Sequence, residues 1–233
     1  MAASPTSGQT LVLTENGNLH TLGLGSLQIV RGSVLAGNGA LTSVDMASLK
    51  QVGMTLDLHR NNLTHLSLGP LRLVGADLLL QSNDALSLLD TGALTAIGGD
   101  LSVGFTALGL LDLGDVREIG GSLRASDNAR VTTVDFGHVT SVGGFVALSN
   151  CAALHTLRVG NLTRIGKGLT AISTLLREVD LGGLAWVGGK VNLNFNAKLE
   201  RVRCRGVVAT CICAPDDAVL LDCPTRCDNS SGC

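Results

Sequence analysis

The sequence predicts an all-β solenoid, a right-handed parallel β-helix of about nine turns. Two observations lead to this prediction: an apolar pattern that repeats at a nearly constant period, and a composition that is 45% hydrophobic but only 2% aromatic. A core with so few rings has to be built from small branched side chains in a regular lattice, as in repeat proteins. The turns start at apolar residues whose numbers advance by 22 or 23 each time: Leu11, Val34, Leu56, Leu78, Leu101, Leu123, Val146, Leu169 and Val191.

Seven columns of apolar residues recur in every turn. In the fifth turn they are Leu101, Val103, Leu108, Leu111, Leu113, Val116 and Ile119. Across all nine turns, only Thr91 and Thr210 depart from the apolar pattern. Pairs spaced by two residues predict short strands with alternate side chains directed inward, and steps of three predict corners. The distance from the turn start to the third column varies by one position, whereas the distance from the third column to the next start is constant, so one corner alone varies in length.

Glycine and asparagine mark two of the predicted corners. Gly directly follows the Ile or Val corner residue in seven of eight turns, as in Ile97-Gly98-Gly99, which indicates a positive φ or a close backbone approach. Asn recurs three residues before the third column and predicts a ladder that satisfies corner amides: Asn16, Asn38, Asn83, Asn128 and Asn196. In the seventh turn this position is Cys151, which we expect to be a buried structural thiol rather than a nucleophile.

The repeat gives way to a cysteine-rich tail. We divide the chain into a lead-in of residues 1–10, a β-helix domain of residues 11–212, and a cap or start of a Cys-rich module at residues 213–233. An even number of clustered cysteines in a segment too small for its own core predicts disulfides of open connectivity: Cys204, Cys211, Cys213, Cys223, Cys227 and Cys233. The alternative is a zinc site, but the spacing is not that of a standard finger and no His accompanies it.

Composition and motifs exclude several functions. The net charge is −2 and no basic run occurs, so we expect no nucleic-acid partner. No apolar stretch is long enough to span a bilayer, so a membrane would be reached only through a segment absent from this chain. The five histidines fall in different columns, and we expect neither a metal site nor a cofactor. Three sequons fit a secreted protein and predict N-glycosylation at Asn62, Asn161 and Asn229.

Two outward features are candidate binding residues. An outward column of the second predicted strand contains carboxylates from several turns: Asp45, Asp90, Asp112, Asp135 and Asp180. Three of them come from successive turns, at a separation near that used by retaining glycosidases. A solvated acidic stripe is the simpler interpretation. Trp186, the one tryptophan, lies in another outward column beside Arg164, where it is either a contact residue or packed under the cap.

The repeat also resembles a known family. Ile97-Gly98-Gly99-Asp100-Leu101-Ser102-Val103 and the longer run from Val187 to Asn196 resemble the receptor L-domain, the leucine-rich β-helical ligand-binding module of insulin- and epidermal-growth-factor-receptor ectodomains. They are also similar to repeats of fungal GPI-anchored cell-wall proteins. The resemblance covers residues 11 to about 212. It implies a β-helix followed by a Cys-rich segment and a ligand-binding role at the cell surface.

These observations together predict an extracellular recognition or adhesion module, a fragment of a larger cell-surface protein, with no catalysis. Its partner would be a protein or a glycan at the cell surface. One alternative is a structural repeat protein of a cell wall or matrix. Another is a polysaccharide-acting β-helix enzyme that uses the stripe formed by Asp90, Asp112 and Asp135.

Overall fold

The computed structural model describes residues 6–37, 39–209, 211–215 and 218–223 and confirms the predicted fold class. The described residues form a β-solenoid of about nine turns with no helix, and neighbouring strands pair in parallel. Each turn passes in order through three sheets, which we name sheets 1, 2 and 3. They meet at the 1–2, 2–3 and 3–1 corners.

Sheet 1 has nine strands: β1 (Thr6–Ser7), β4 (Ile29–Val30), β7 (Gln51–Val52), β10 (Leu73–Val74), β13 (Ala96–Ile97), β16 (Glu118–Ile119), β19 (Ser141–Val142), β22 (Arg164–Ile165) and β25 (Trp186–Val187). Sheet 2 has ten: β2 (Leu11–Val12), β5 (Val34–Leu35), β8 (Leu56–Asp57), β11 (Leu78–Leu79), β14 (Leu101–Ser102), β17 (Leu123–Arg124), β20 (Val146–Ala147), β23 (Leu169–Thr170), β26 (Val191–Asn192) and β28 (Ile212–Cys213). The strands of sheet 3 are β3 (Thr21–Gly23), β6 (Ser43–Asp45), β9 (His65–Ser67), β12 (Leu88–Asp90), β15 (Leu110–Asp112), β18 (Thr133–Asp135), β21 (Thr156–Arg158), β24 (Glu178–Asp180), β27 (Arg201–Arg203) and β29 (Val219–Leu221).

The register stacks equivalent columns of successive turns. Leu101 pairs with Leu78 of the turn before and Leu123 of the turn after, and all three are at most 2% exposed. The inward residues of the three sheets therefore form one continuous core along the axis. Phe136 is fully buried in this core, and it is the single aromatic ring among the buried residues that the structure describes.

Sheet 3 differs from the other two because it is broken into four pieces, β3–β6, β9–β12, β15–β18–β21 and β24–β27–β29. All three breaks fall where the residue number advances by 22 from one strand to the next, as it does from Ser43 at the start of β6 to His65 at the start of β9. The bonded pairs from β9 to β27 are spaced by 23, and β3–β6 is the pair that stays bonded at a spacing of 22. The residue that is gained or lost lies at the 2–3 corner, so the sheet that follows absorbs the change in register.

The glycines of the 1–2 corner are explained by close backbone approach rather than by positive φ. A Cβ on Gly98, Gly120 or Gly143 would overlap the carbonyl oxygen of the glycine in the turn before it. None of these three is among the described glycines with positive φ. Turns stacked at the strand spacing of about 4.8 Å leave no room for a side chain here.

A polar ladder that the sequence analysis missed runs beside these glycines, in the residue directly before each sheet 2 strand. The Asp77 carboxylate accepts the Asp100 N–H at 2.7 Å, and the Asp100 carboxylate accepts the Ser122 N–H at 2.6 Å. The Ser122 hydroxyl oxygen in turn accepts the Phe145 N–H at 3.0 Å. Each side chain thus bonds the backbone of the following turn. The signal was present as a column of Ser, Thr and Asp before the turn starts.

The 2–3 corner needs a left-handed residue. Eight turns place a non-glycine residue there with φ between 50° and 63°: Glu15, Arg60, Ser82, Phe105, Asp127, Asn150, Ser173 and Phe195. Such conformations are uncommon for bulky side chains and persist only where the surroundings impose them. The next residue supplies that constraint.

In five of these eight turns the next residue is an asparagine, which we call a rung, and in the other three it is Thr106, Cys151 or Thr174. The Asn128 carboxamide donates to the Ala125 carbonyl at 2.9 Å within its own turn and to the Val103 carbonyl at 3.0 Å in the turn before. Its oxygen accepts both the N–H and the hydroxyl of Thr106 at 2.8 Å. Asn83 and Asn196 bridge turns in the same way and are likewise buried.

Two asparagines, Asn61 and Asn16, depart from the predicted set of rungs. Asn61 makes the same bonds, but it was missed because its turn is one residue shorter and it stands two residues before Leu63. Asn38 lies outside the described residues. Asn16, in the first turn, is exposed and donates to the carbonyls of Leu13 and Thr14 at 3.0 Å.

Cys151 takes the rung position of the seventh turn. Its thiol is free and fully buried, and Sγ donates to the Ala125 carbonyl at 3.3 Å, in the direction that an Asn side chain would. Burial raises the pKa of the Cys151 thiol, which keeps it protonated. This is the environment of a structural cysteine rather than of an activated nucleophile.

Strand pairing crosses both boundaries that we drew from the sequence. β1 lies in the lead-in of residues 1–10 and pairs with β4, and β29 lies in the cap of residues 213–233 and pairs with β27. The repeat ends less abruptly than its apolar columns indicate because backbone pairing continues after the core residues change.

The cap is held by disulfides. Cys204 and Cys223 form one, with Cα atoms 4.9 Å apart, and Cys211 and Cys213 are also disulfide-bonded. These sulfurs are therefore not available as zinc thiolates, so the zinc alternative is wrong. Cys227 and Cys233 lie outside the described residues.

Candidate functional site

The acidic column lies at the 3–1 corner, where sheet 3 strands end. Each carboxylate accepts the backbone N–H two residues further on, at 2.9 Å from Asp90 to Gly92 and 2.8 Å from Asp112 to Gly114. Asp45, Asp135 and Asp180 make the same bond. This geometry is an Asx turn, so the five carboxylates cap the corner in their own turns.

Between these caps lies an open depression of about 420 Å³ in the fourth to sixth turns. Its acidic wall consists of Asp90, Asp112, Asp115 and Asp135, and its floor is the stack of Gly92, Gly114 and Gly137, which have φ between 50° and 55°. Because these three positions are glycines, no side chain fills the corner, and this leaves the depression.

The environment of Asp90 is not that of a general acid. A hydroxyl bond from Ser67 at 2.7 Å, together with the Gly92 N–H, holds the pKa of Asp90 below its usual range. A glycosidase requires one carboxyl with a raised pKa to act as the general acid. Asp135 is ion-paired with Arg158 at 3.3 Å. Within the described residues, no group of three or more His, Cys, Asp and Glu side chains is arranged to hold a metal ion.

Trp186 lies on sheet 1, so the structure does not place it with the acidic column. It is half-buried and pairs in register with Arg164, whose guanidinium carbon lies 3.9 Å from the centroid of its rings. On the other side it bridges to Val208, which is 61% exposed. The prediction that Trp186 lies beside Arg164 is therefore met, and a cation–π contact holds the pair.

Three exposed phenylalanines were missed by the sequence analysis. Phe105 and Phe195 occupy the left-handed position of the 2–3 corner and are 56% and 76% exposed. Phe145 precedes β20 at the 1–2 corner and is 45% exposed, with the Lys167 ammonium 5.3 Å from its ring centroid. All three stand outside the seven apolar columns, and that position was the signal that could have identified them.

The two described sequons lie at exposed corners. Asn62 follows the rung residue Asn61, and Asn161 lies at the 3–1 corner; both side chains are exposed. Each is therefore sterically open to modification. Asn229 lies outside the described residues.

No family model matches the chain, and no curated protein is detectably similar to it. The similarity to the receptor L-domain stays a prediction that rests on the glycine and leucine motif. No helix among the residues that the structure describes is long and apolar enough to cross a bilayer.

Proposed function

We propose that this chain is an extracellular recognition or adhesion module that binds a partner through its outer faces and performs no catalysis. The observation that supports this most directly is the placement of its aromatic side chains. The sequence has only five, and four of them, Phe105, Phe145, Trp186 and Phe195, lie outside the core. Aromatic side chains are enriched among the anchors that dominate interface energetics, so a chain that leaves four of its five rings outside the core favours a binding role.

Other features agree with this proposal. A disulfide-bonded cap is typical of proteins that fold in an oxidising compartment. The two exposed sequons fit the same location. The carboxylates of the acidic column are occupied as turn caps, which favours a structural role for them over catalysis.

The binding role is tested on a panel of immobilised glycans and extracellular matrix proteins. The wild-type chain is compared with a variant in which each of the four rings outside the core takes a residue found elsewhere in its column: Phe105→Ser, Phe145→Ser, Trp186→Ser and Phe195→Asn. We expect the wild type to bind and the variant to lose at least about tenfold in affinity. The control, Leu88→Thr with Leu110→Thr, removes exposed apolar area from sheet 3 and should bind like the wild type.

Two results would contradict the proposal. One is a wild-type chain that binds nothing on the panel, and the other is a ring variant that binds as well as the wild type. The location is tested separately by thiol titration of the protein from its native source. Reduced thiols at Cys204 and Cys223 would exclude a secreted protein.

A further inference from the structure

We propose that a basic aromatic surface on the sixth to eighth turns binds an acidic polysaccharide. We define this surface by Phe145, Arg164, Lys167, Trp186 and Lys190, which lie on sheet 1 and the adjoining 1–2 corner. The inference rests on the proposed recognition function and names the ligand class of one of its faces.

The surface is assembled from neighbouring turns. β22 and β25 are bonded, so Arg164 stands beside Trp186, and Lys167 follows β22 by two residues. The Leu169 N–H donates to the Lys190 carbonyl at 3.0 Å, which sets the backbone of Lys190 against the segment that contains Lys167. A Cβ built on Gly168 would lie 3.5 Å from the Phe145 ring, so this ring rests against the same segment.

The charge of this surface is one-sided. No Asp or Glu occurs between residues 136 and 177 or between residues 181 and 199. The acidic residues that separate and follow these two ranges, Glu178, Asp180 and Glu200, are on the sheet 3 side, where they pair with Arg201, Arg203 and Arg177. Among the described residues, no carboxylate lies within ion-pair distance of Arg164 or Lys167, and both side chains are exposed. The positive charge of Arg164 and Lys167, which have no carboxylate beside them among the described residues, favours an anionic ligand.

The pairing of basic with aromatic side chains favours an acidic sugar over other anionic ligands. Arg164 stacks on one face of Trp186 and Lys167 lies 5.3 Å from the centroid of the Phe145 ring, so each cation is held next to an aromatic side chain. A uronate or sulfated hexose presents an apolar ring face and a negative charge within one unit, and matches both partners at once. An acidic peptide offers the charge without that face. The open surface spreads over stacked turns about 4.8 Å apart, which suits a linear polymer.

The test measures binding of the full chain to polygalacturonate, heparin, neutral dextran and poly-glutamate. The variant Arg164→Ser, Lys167→Gly and Lys190→Ser takes its replacements from Ser141, Gly144 and Ser122 of the same columns. The matched control, Lys50→Thr, Arg72→Thr and Arg117→Thr, removes the same charge from the earlier turns. Threonine is chosen for the control because Thr95 and Thr140 occupy the same column as Lys50, Arg72 and Arg117.

We expect the wild type to bind polygalacturonate or heparin. Affinity should fall by at least about tenfold in the Arg164, Lys167 and Lys190 variant, and by less than about threefold in the control. Trp186→Ser should weaken polysaccharide binding while leaving the net charge unchanged. Binding should also weaken between about 50 and 200 mM salt.

Four results would overturn the inference. Equal losses in the variant and its control would show general charge attraction rather than a site. Dextran bound as tightly as the polyanions, or poly-glutamate bound as tightly as polygalacturonate, would exclude an acidic sugar as the ligand. Failure to bind either acidic polysaccharide, when ring-dependent binding appears on the panel above, would remove this inference and leave the proposed function standing.

Discussion

Sheets 1 and 2 are continuous ladders, whereas sheet 3 is broken at three places, although all three sheets cover the same core. The difference follows from the corners. The 1–2 corner holds glycines in contact with the carbonyl of the turn before and repeats without a change of length, whereas the 2–3 corner gains or loses a residue. Turn spacing in this fold is therefore set by the closest backbone approach. The hydrogen bonds of sheet 3 are interrupted where the change in length of the 2–3 corner shifts one strand relative to the next.

The largest effect should come from substitution at the 1–2 corner. Gly143→Ala places a methyl group against the Gly120 carbonyl, so the turns must separate, and we expect a loss of about 3–5 kcal/mol in the free energy of unfolding. Gly109→Ala, at the start of a sheet 3 strand, is the matched control because its Cβ would meet nothing within 4 Å. It should change stability by less than about 0.5 kcal/mol. Urea titration measures both, and similar values would show that the glycine stack does not set the spacing.

A smaller effect is expected at the 2–3 corner. Asn128→Ala leaves the buried Val103 and Ala125 carbonyls and the Thr106 N–H without their side-chain partner, which should destabilise the fold by about 2–4 kcal/mol. Asn16→Ala removes an exposed rung of the first turn and should cost less than about 1 kcal/mol. Thermal unfolding of the two variants gives the comparison. If Asn16→Ala destabilised the fold as much as Asn128→Ala, burial would not explain the stabilising effect of the rungs.

Cys151, the cysteine at the rung position of the seventh turn, gives a prediction about the rate of thiol alkylation. Because burial raises the pKa of Cys151, native protein should react with a thiol-alkylating reagent at least about 100-fold more slowly than unfolded protein. The stability that this protonated thiol contributes is fully present below the pKa of an unfolded cysteine and is lost as pH rises through the raised folded pKa. Cys151→Ala should therefore flatten the alkaline limb of the stability profile. Rapid alkylation of the native protein would show that the seventh turn opens.

The smallest effect is expected on the loss of stability at acidic pH. The pKa of Asp90 is lowered by the Ser67 hydroxyl and the Gly92 N–H, so its contribution is present above about pH 4 and is lost as pH falls through the lowered folded value. Ser67→Ala should reduce the stability lost between pH 7 and pH 3 by less than about 1 kcal/mol, because the pair is at the surface. Urea titrations at both pH values measure it. A larger acid loss in the variant than in the wild type would contradict the assignment.

The sequence predicts the core well because apolar residues at fixed spacing have one way to face inward, and residues such as Leu101 and Leu123 lie where the columns place them. It predicts the surface less well. Asn61 was missed because an alignment on the apolar residue after the corner hides a rung in a shorter turn. The role of Asp112 as a turn cap depends on the φ of Gly114, and the exposure of Phe105 depends on a left-handed backbone. Neither is visible in the apolar periodicity.

The constant length of the arc through sheets 3 and 1 makes each turn an exchangeable unit. We expect that a single turn can be removed between equivalent positions so that the ends rejoin in register and the remaining rungs keep equivalent partners. Each removal would shorten the rod by about 4.8 Å. The length of the solenoid is therefore proportional to its number of turns. The number of turns would set the distance between two groups attached to its opposite ends.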